Sequence, residues 1–265
     1  MDYLEYQKKT WDSLATESGK QPLRAVISKD DLNNYYFDNA IKKLFDQTIK
    51  IENDYKVLDM GCGVGRMSLW LASRVKKIIG IDLSPKMIAI AKKRAASFDL
   101  KNVEFSATDG KSLKFEDSNF NLIACIVVLK YIIDDGDLEQ IVKEMCRVIK
   151  TNGYIAIVEQ MDYNGPTLFG KEDLSGQSLL RRPNHYISLF ENNNMKLIGH
   201  YSVFLGLLFS KYQFIAKKIK LYKYRKVFLF FSKMIISIDL LLDSVLKRYL
   251  KKKKGFHLLY FKKIF

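Results

Sequence analysis

A short apolar segment followed by closely spaced glycines constrains this chain more than any other feature. The ten residues from Val57 to Arg66 read VLDMGCGVGR, which predicts a buried strand, a tight turn and a helix that begins near Arg66. Glycine is required where the backbone adopts dihedral angles that other residues avoid, or where a ligand approaches the backbone closely. The first N–H groups of the helix have no intrahelical partner. The segment therefore predicts a strand–turn–helix unit that binds a ligand.

The spacing of the glycines narrows the choice of ligand. Gly61, Gly63 and Gly65 follow Asp59 as Gly-x-Gly-x-Gly, which differs from the Gly-x-Gly-x-x-Gly fingerprint of nicotinamide-dependent oxidoreductases. The spelling resembles the first motif of class I S-adenosylmethionine-dependent methyltransferases. This resemblance implies that S-adenosyl-L-methionine is the cofactor, that the glycines lie along its methionine and ribose parts, and that Asp59 helps to hold its amino group. A tight turn without a ligand is the alternative.

A second acidic residue lies where a nucleotide fold places a ribose ligand. Asp82 ends a predicted strand 17 residues after Gly65, close to the roughly 20-residue offset of ribose-binding carboxylates. Its two oxygens can accept hydrogen bonds from both ribose hydroxyls. Ser84 and Pro85 then predict an N-cap and a first helical turn. The resemblance implies that Leu83 and Met87 flank the adenine, with core packing as the alternative for Met87.

The next two strands supply further candidates and depart from the family pattern. The resemblance implies that Asp109 and Gly110, after the third strand, meet the adenine, and that Cys125 on the fourth strand lies beside the cofactor; a solvated turn is the alternative for Asp109. Asn121 stands where the family has an acid, Cys125 where it has a small polar residue, and Lys130-Tyr131 where it has paired histidines. The family's catalytic base is therefore not carried over, and Tyr131 is a candidate substrate contact.

Strands and helices alternate along the chain in a way that predicts the fold. An amphipathic helix over 138–149 is predicted to end in a left-handed cap at Asn152-Gly153, and strands are predicted at 154–160, 195–204 and 257–261, the last two paired. We expect an α/β fold with a doubly wound, mostly parallel seven-stranded sheet, the Rossmann-like methyltransferase fold. The predicted divisions are a helical lid (1–54), a cofactor-binding core (55–205), a basic helical insertion (206–254) and the last strand (255–265).

Two further segments carry candidate ligand contacts. The lid is predicted to consist of two helices separated by a break at 19–22, and its Tyr3, Tyr6, Trp11 and Arg24 either contact the ligand or pack in the interior. After a polar stretch at 161–180, which we interpret as a substrate loop, Arg181 and Arg182 are candidates to hold a substrate phosphate or carboxylate. Neighbouring His185 is the candidate general base. A solvated basic pair and a helix-capping histidine are the alternatives.

The positive charge of the chain is concentrated near its end. Residues 206–265 contain 16 Lys and Arg but only 2 Asp and Glu, whereas the rest of the chain is nearly neutral. The stretch from Val227 to Leu246 predicts an amphipathic helix rather than a membrane span. Its predicted polar side carries Arg225, Lys226, Lys233, Ser237, Asp239, Asp243, Ser244, Lys247 and Arg248, and its predicted apolar side carries Phe228, Phe231, Ile235, Leu242 and Leu246. The apolar side is buried either in the substrate cleft or a dimer contact, or in an anionic membrane surface, which the four lysines at 251–254 favour.

The cysteines and the first residues of the chain predict the cellular compartment. Three widely spaced cysteines predict neither a disulfide framework nor a metal site, and the first residues lack the pattern of a signal peptide. We therefore expect a cytoplasmic enzyme without a metal, with peripheral contact to the inner face of the membrane as an extension of that expectation.

The expected activity is methyl transfer from S-adenosylmethionine (EC 2.1.1) to a small molecule or glycan precursor, with in-line O-methylation in polysaccharide or small-metabolite biosynthesis. The alternatives are a lipid or quinone-like acceptor at the membrane surface and a non-catalytic cofactor-binding interaction module. A homodimer is an open alternative to the monomer. An RNA methyltransferase is a third alternative among enzymes. No specific nucleic acid partner is expected, and the missing Asn/Asp-Pro-Pro-Tyr/Phe signature in the fourth strand disfavours exocyclic amines of nucleic acid as acceptors.

Overall fold

The computed structural model describes residues 3–17, 31–170, 177–203, 207–218, 224–246 and 254–264. Its helices are α1 (Tyr3–Glu17), α2 (Asp31–Thr48), α3 (Arg66–Leu71), α4 (Pro85–Ser97), α5 (Asp135–Val148), α6 (Pro183–Glu191), α7 (Leu207–Lys218) and α8 (Arg225–Leu246). Its strands are β1 (Lys56–Met60), β2 (Lys77–Asp82), β3 (Val103–Ala107), β4 (Phe120–Ile126), β5 (Ile149–Asp162), β6 (Thr167–Phe169), β7 (Ser178–Leu180), β8 (Met195–Ser202) and β9 (Lys254–Lys263).

Seven strands form one sheet in the order β3-β2-β1-β4-β5-β9-β8. The first five pair in parallel, whereas β9 runs antiparallel to both β5 and β8. The predicted doubly wound, mostly parallel seven-stranded sheet is confirmed, and so is the pairing of the closing strand with the strand that begins at Met195. In this topology the carboxyl ends of β1, β2 and β4 meet at one edge of the sheet, which is where such folds bind ligands.

The sheet is buried on both faces because successive side chains of a strand point to opposite sides. Val57 of β1 packs in the layer that contains α2 and α3, whereas the next residue, Leu58, packs in the layer that contains α5. Both side chains are fully buried. A continuous apolar run on a central strand therefore supports two cores at once, which fixes β1 and the turn that follows it.

The end of α5 differs from the sequence prediction. The helix stops at Val148, and Ile149 has extended dihedral angles (φ −78°, ψ 138°) and pairs with Phe120 of β4. Asn152 does adopt a left-handed conformation (φ 64°), but it lies inside β5 rather than at the helix end. The predicted cap was wrong because pairing of the buried Ile149 with the sheet ends the helix before the Asn-Gly pair.

The segment predicted to be a polar substrate loop contains regular structure. β5 extends to Asp162, and β6 pairs with β7 in an antiparallel hairpin, with Leu168 opposite Leu179. Residues 171–176 lie outside the described residues. The two predicted N-terminal helices are present as α1 and α2, and the predicted break at 19–22 also lies outside the described residues.

The two sides of α8 also differ from the prediction. Asp239, predicted on the polar side, is fully buried against α2, where it accepts hydrogen bonds from the Tyr36 hydroxyl (2.9 Å) and the Leu208 N–H (3.0 Å). These two donors compensate the loss of water around the carboxylate. Phe231 and Leu242, predicted to be buried, are exposed. Among the α8 side chains that the structure describes, eight apolar ones form what we call the exposed stripe: Val227, Phe230, Phe231, Met234, Ile238, Leu241, Leu242 and Val245.

Glu159 on β5 holds the turn that follows β4. Its Oε1 accepts hydrogen bonds from the N–H groups of Val128 and Leu129, both at 2.7 Å, and its Oε2 accepts one from Lys130 at 3.3 Å. Complete burial raises the pKa of this carboxyl to about 7, although the backbone N–H groups and Lys130 oppose the shift. The conformation of the Leu129–Tyr131 turn therefore depends on a titratable group.

The raised pKa of Glu159 predicts a pH-dependent stability. Because the folded chain binds this proton more tightly than the unfolded chain, the free energy of unfolding should fall as the pH rises from 4.5 towards 7. Relative to Glu159→Gln, which does not titrate, the wild-type protein should lose up to about 3 kcal/mol across this window. Urea unfolding of both proteins at several pH values measures the difference. Parallel pH profiles would contradict the assignment.

Candidate functional site

A cleft at the carboxyl ends of β1, β2 and β4, which we call the main cleft, holds about 1030 Å³, counting the space open to solvent. Its floor is formed by the turns after these three strands, and helix α1 covers it with Tyr3, Gln7 and Trp11. Of the predicted site residues, the following line it: Gly61, Gly63, Asp82, Leu83, Met87, Asp109, Gly110 and Tyr131. The structure thus brings together residues that are up to 70 positions apart in the sequence.

The glycine turn adopts backbone conformations that favour glycine. Gly61, Gly63 and Gly65 have φ values of 69°, 52° and 75°. A Cβ atom on Gly61 would lie 2.2 Å from Cγ2 of Val128, so a side chain there would collide with the turn after β4. Gly65 precedes α3 and packs against the Phe105 ring rather than lining the cleft. The helix begins at Arg66, as predicted.

Asp82 joins the turns that follow β1 and β2. Its Oδ2 accepts a hydrogen bond from the Gly63 N–H at 2.8 Å, and its Oδ1 accepts one from the Ser84 N–H at 2.9 Å. Burial raises the pKa of this carboxyl, and the two N–H donors counteract part of the shift. Each carboxylate oxygen has a second lone pair available, so the group still has the capacity to accept hydroxyl groups of a ligand in the cleft.

Asp59 lies in a smaller recess of about 380 Å³ that shares Gly61, Gly63 and Val127 with the main cleft. Its carboxylate accepts a hydrogen bond from the Ser68 hydroxyl at 2.5 Å, and burial raises its pKa to about 6. Arg66 lines the same recess and forms an ion pair with Asp38 of α2 at 2.5 Å. The recess therefore presents an acid and a guanidinium, which match the amino and carboxylate groups of an amino acid.

Two of the predicted cofactor residues occupy different surroundings. Asp109 lines the cleft, and its Oδ1 also accepts a hydrogen bond from the Lys111 N–H at 3.0 Å, as in a polar turn. Cys125 is fully buried within β4 and does not line the cleft. Burial raises the pKa of its thiol well above the ordinary value, so it remains a neutral core residue.

Helix α1 is held over the cleft by hydrogen bonds at both ends. The Tyr3 hydroxyl donates to the Tyr131 carbonyl at 2.7 Å, and Trp11 meets the Tyr131 ring edge-on at 5.1 Å between centroids. Asp12 accepts hydrogen bonds from the Ser84 hydroxyl and the Lys86 N–H at the start of α4. Tyr6 does not line the cleft, and Arg24 lies outside the described residues.

Gln7 of helix α1 presents an unsatisfied hydrogen-bond acceptor at the cleft. Its Nε2 donates to the Tyr3 hydroxyl at 2.6 Å, whereas its Oε1 is buried and has no hydrogen-bond partner among the described residues. The side chain is only 3% exposed although it borders the cleft. An unpaired buried acceptor costs free energy, so this position favours a ligand that donates a hydrogen bond.

The predicted substrate arginines and the candidate base lie outside the cleft lining. Arg181 is buried and donates from Nε and Nη2 to Asp135, at 2.9 and 2.7 Å, and from Nη2 to the Ile133 carbonyl at 3.2 Å. Exposed Arg182 donates to the Gly165 carbonyl. His185 lies 3.7 Å from Asp135, and burial lowers its pKa. These contacts give Arg181 a positioning role for the segment that follows Tyr131.

Several residues of the site were not identified from the sequence. Gln7 and Thr108 line the cleft, and Val127 lines both the cleft and the recess in a left-handed conformation (φ 60°) that β-branched residues rarely adopt. Arg66 carried a signal, because it directly follows the glycine turn. Gln7 and Val127 carried none, since burial beneath a lid and an unusual dihedral angle depend on the tertiary structure.

No group of three or more His, Cys, Asp or Glu side chains able to hold a metal ion occurs in the described part of the chain. Among the described helices, none has the length and apolar character needed to cross a bilayer.

Residues 57–153 match the family model described as a methyltransferase domain. The chain is 29% identical over 139 residues to the uncharacterized methyltransferase YcgJ of Bacillus subtilis, covering 52% of this chain and 53% of that protein. It is 27% identical over 152 residues to the demethylmenaquinone methyltransferase of Lactobacillus johnsonii, covering 55% and 61%. The chain therefore spans between about half and three fifths of the length of these curated relatives.

Solved structures extend the similarity of fold to the whole chain. The cyclase SpnF superposes with a TM-score of 0.68 at 16% identity, covering 98% of this chain and 96% of that chain. Its description as a cyclase means that the fold alone does not determine the reaction. The family match, the glycine turn and the position of Asp82 agree with one another: residues 57–153 belong to a class I S-adenosylmethionine-dependent methyltransferase domain, whose cofactor is S-adenosylmethionine.

Proposed function

We propose that this protein transfers the methyl group of S-adenosylmethionine to an oxygen atom of a small molecule or glycan precursor. The observation that carries the proposal is the arrangement of the cleft, in which the glycine turn and Asp82 lie beneath helix α1 around a space that can hold a small-molecule ligand. Methyl transfer is an in-line displacement, so the protein has to hold the acceptor in line with the methyl group and exclude water.

The residues around the cleft fit the proposed cofactor. We assign the ribose hydroxyls to Asp82, the adenine to Leu83, Met87 and Asp109, and the amino acid part to the recess of Asp59 and Arg66. When bound there, S-adenosylmethionine would supply a methyl group activated by the positive sulfur. The free lone pairs of Asp82, and the presence of the Asp59 carboxyl and the Arg66 guanidinium in one recess, support this assignment.

The lid side of the cleft is the proposed acceptor site. The unpaired Oε1 of Gln7 would accept a hydrogen bond from an acceptor hydroxyl and orient its oxygen. Burial raises the pKa of Tyr131 to about 12, so its phenol remains protonated near neutral pH and acts as a hydrogen-bond donor rather than as a base. The placement of His185 outside the cleft lining supports a mechanism that depends on positioning. In that mechanism the oxygen–methyl bond would form as the sulfur–methyl bond breaks, and the proton of the hydroxyl would pass to solvent water at the open side of the cleft.

The runner-up is a lipid or quinone-like acceptor. Two observations favour it. One relative is described as a demethylmenaquinone methyltransferase, and another, from Caenorhabditis elegans, as a sterol 4-C-methyltransferase. The cleft also has apolar walls, which include Ile126, Val128 and Ile132. The name of the sterol relative states that its methylated atom is a carbon. Nuclear magnetic resonance of a product carrying an isotope-labelled methyl group would distinguish an O-methyl from a C-methyl group.

Cofactor binding is tested by changing Asp82. Asp82→Ala should weaken the binding of S-adenosylhomocysteine by about 1.5–3 kcal/mol, the scale of hydrogen bonds to a charged group, and Asp82→Asn should weaken it less because one acceptor oxygen remains. Isothermal titration calorimetry measures both, with thermal unfolding as a check of folding. Glu116→Ala, which removes an exposed acid outside the cleft lining, is the control. Unchanged affinity in Asp82→Ala, or tight binding of NAD instead, would exclude the assignment.

The acceptor site is tested by comparing Gln7 with His185. With a panel of hydroxylated metabolites and glycan precursors, Gln7→Leu should lower kcat/KM by about 10- to 100-fold, since it removes a hydrogen bond to the acceptor, while cofactor affinity stays unchanged. His185→Ala should change kcat/KM by no more than about twofold if it is not the base. The release of S-adenosylhomocysteine measures both rates. The reverse ranking would assign the base to His185, and cofactor binding without turnover on any acceptor would favour the non-catalytic alternative.

A further inference from the structure

Helix α8 is apolar on two opposite sides, and the structure explains only one of them. Its inner side packs on α2 and α7 through Ile236, Leu240 and the buried Asp239. The exposed stripe lies on the other side. At about 100° per residue its eight members fall within an arc of roughly 120°, and Phe230 and Val245 remain 66% and 61% exposed. A soluble surface rarely carries an apolar patch of this length without a partner.

The inner contacts fix the direction in which the stripe faces. Ser232 bonds to the Tyr212 hydroxyl of α7 at 3.1 Å, and Lys43 of α2 donates to the Leu240 carbonyl at 2.9 Å. With these anchors in place, no residue of α8 is among those that line the main cleft. The described residues of α8 therefore form no part of the cleft wall, which gives no support to a lid function for the stripe.

The charge around the stripe indicates its partner. Residues 206–265 contain sixteen basic and two acidic residues, and one of the two acids is the fully buried Asp239. Lys211 and Lys218 of α7 and Lys233 of α8 are exposed. A second copy of the chain docked through the same stripe would bring two such basic segments together, whereas an anionic lipid surface would neutralise them.

We propose that the exposed stripe of α8 inserts into the interfacial region of an anionic phospholipid membrane, with α8 lying parallel to the surface. The stripe from Val227 to Val245 spans about 27 Å along the helix, at 1.5 Å per residue, and none of its exposed members is charged. Apolar residues enter the boundary of the acyl chains while the surrounding lysines meet the headgroups. The inference does not depend on the identity of the methyl acceptor.

Vesicle sedimentation of the full chain tests the proposal. The protein should bind vesicles of phosphatidylcholine mixed with phosphatidylglycerol, bind vesicles of phosphatidylcholine alone far more weakly, and dissociate at high salt. The double variant Phe230→Ser with Val245→Ser should lower the partition coefficient at least about tenfold, because it removes apolar area from the contact. The matched control is Phe98→Ser with Leu168→Ser, which changes two exposed apolar residues outside α8 and should bind as the wild type does.

Three results would overturn the proposal. They are the absence of binding to anionic vesicles, equal loss of binding in the stripe variant and the control, and binding that neither salt nor headgroup charge affects. Light scattering after size-exclusion chromatography tests whether a second copy of the chain occupies the stripe instead. A dimer that the stripe variant dissociates, together with no vesicle binding, would assign the stripe to self-association instead. Circular dichroism and thermal unfolding confirm that each variant is folded.

Discussion

The rest of the site depends on the hydrogen bonds that the Asp82 carboxylate accepts. It accepts one N–H from the glycine turn after β1 and one from the start of α4, and so joins two segments that also meet through the buried side chains of Val64 and Met87. The link continues to the lid, because Asp12 of α1 receives hydrogen bonds from Ser84 and Lys86. The wall of the cleft that contains Asp82 and the helix that covers the cleft are thus parts of one hydrogen-bonded unit.

The opposite wall is organised in the same way by buried charges. Glu159 holds three successive N–H groups of the turn after β4, and Arg181 ties the following segment to Asp135. A buried carboxylate is costly unless its oxygens are hydrogen-bonded, and here the donors belong to the backbone that presents Tyr131. Both walls therefore depend on acids whose pKa values burial raises, which links the geometry of the cleft to pH.

The architecture and the residues that form the Asp82 wall of the cleft could be predicted from the sequence because they depend on local patterns. The strand before Gly61, the acid at Asp82 and the Ser84-Pro85 helix start each carry a signal within a few residues. The surroundings of Cys125, Arg181 and His185 could not be predicted from the sequence, because they depend on which face of a strand or helix is buried. The predicted polar and apolar sides of α8 were wrong for a related reason. Asp239 is buried because Tyr36, about two hundred residues away in the sequence, donates a hydrogen bond to it.

The central claim is that S-adenosylmethionine occupies the cleft between the glycine turn and helix α1. A crystal structure of the full chain grown with S-adenosylhomocysteine tests it most directly. The account predicts ribose hydroxyls within hydrogen-bond distance of Asp82, the adenine beside Leu83 and Met87, and the amino acid part in the recess of Asp59 and Arg66. A ligand bound elsewhere, or in the cleft with its ribose away from Asp82, would contradict it.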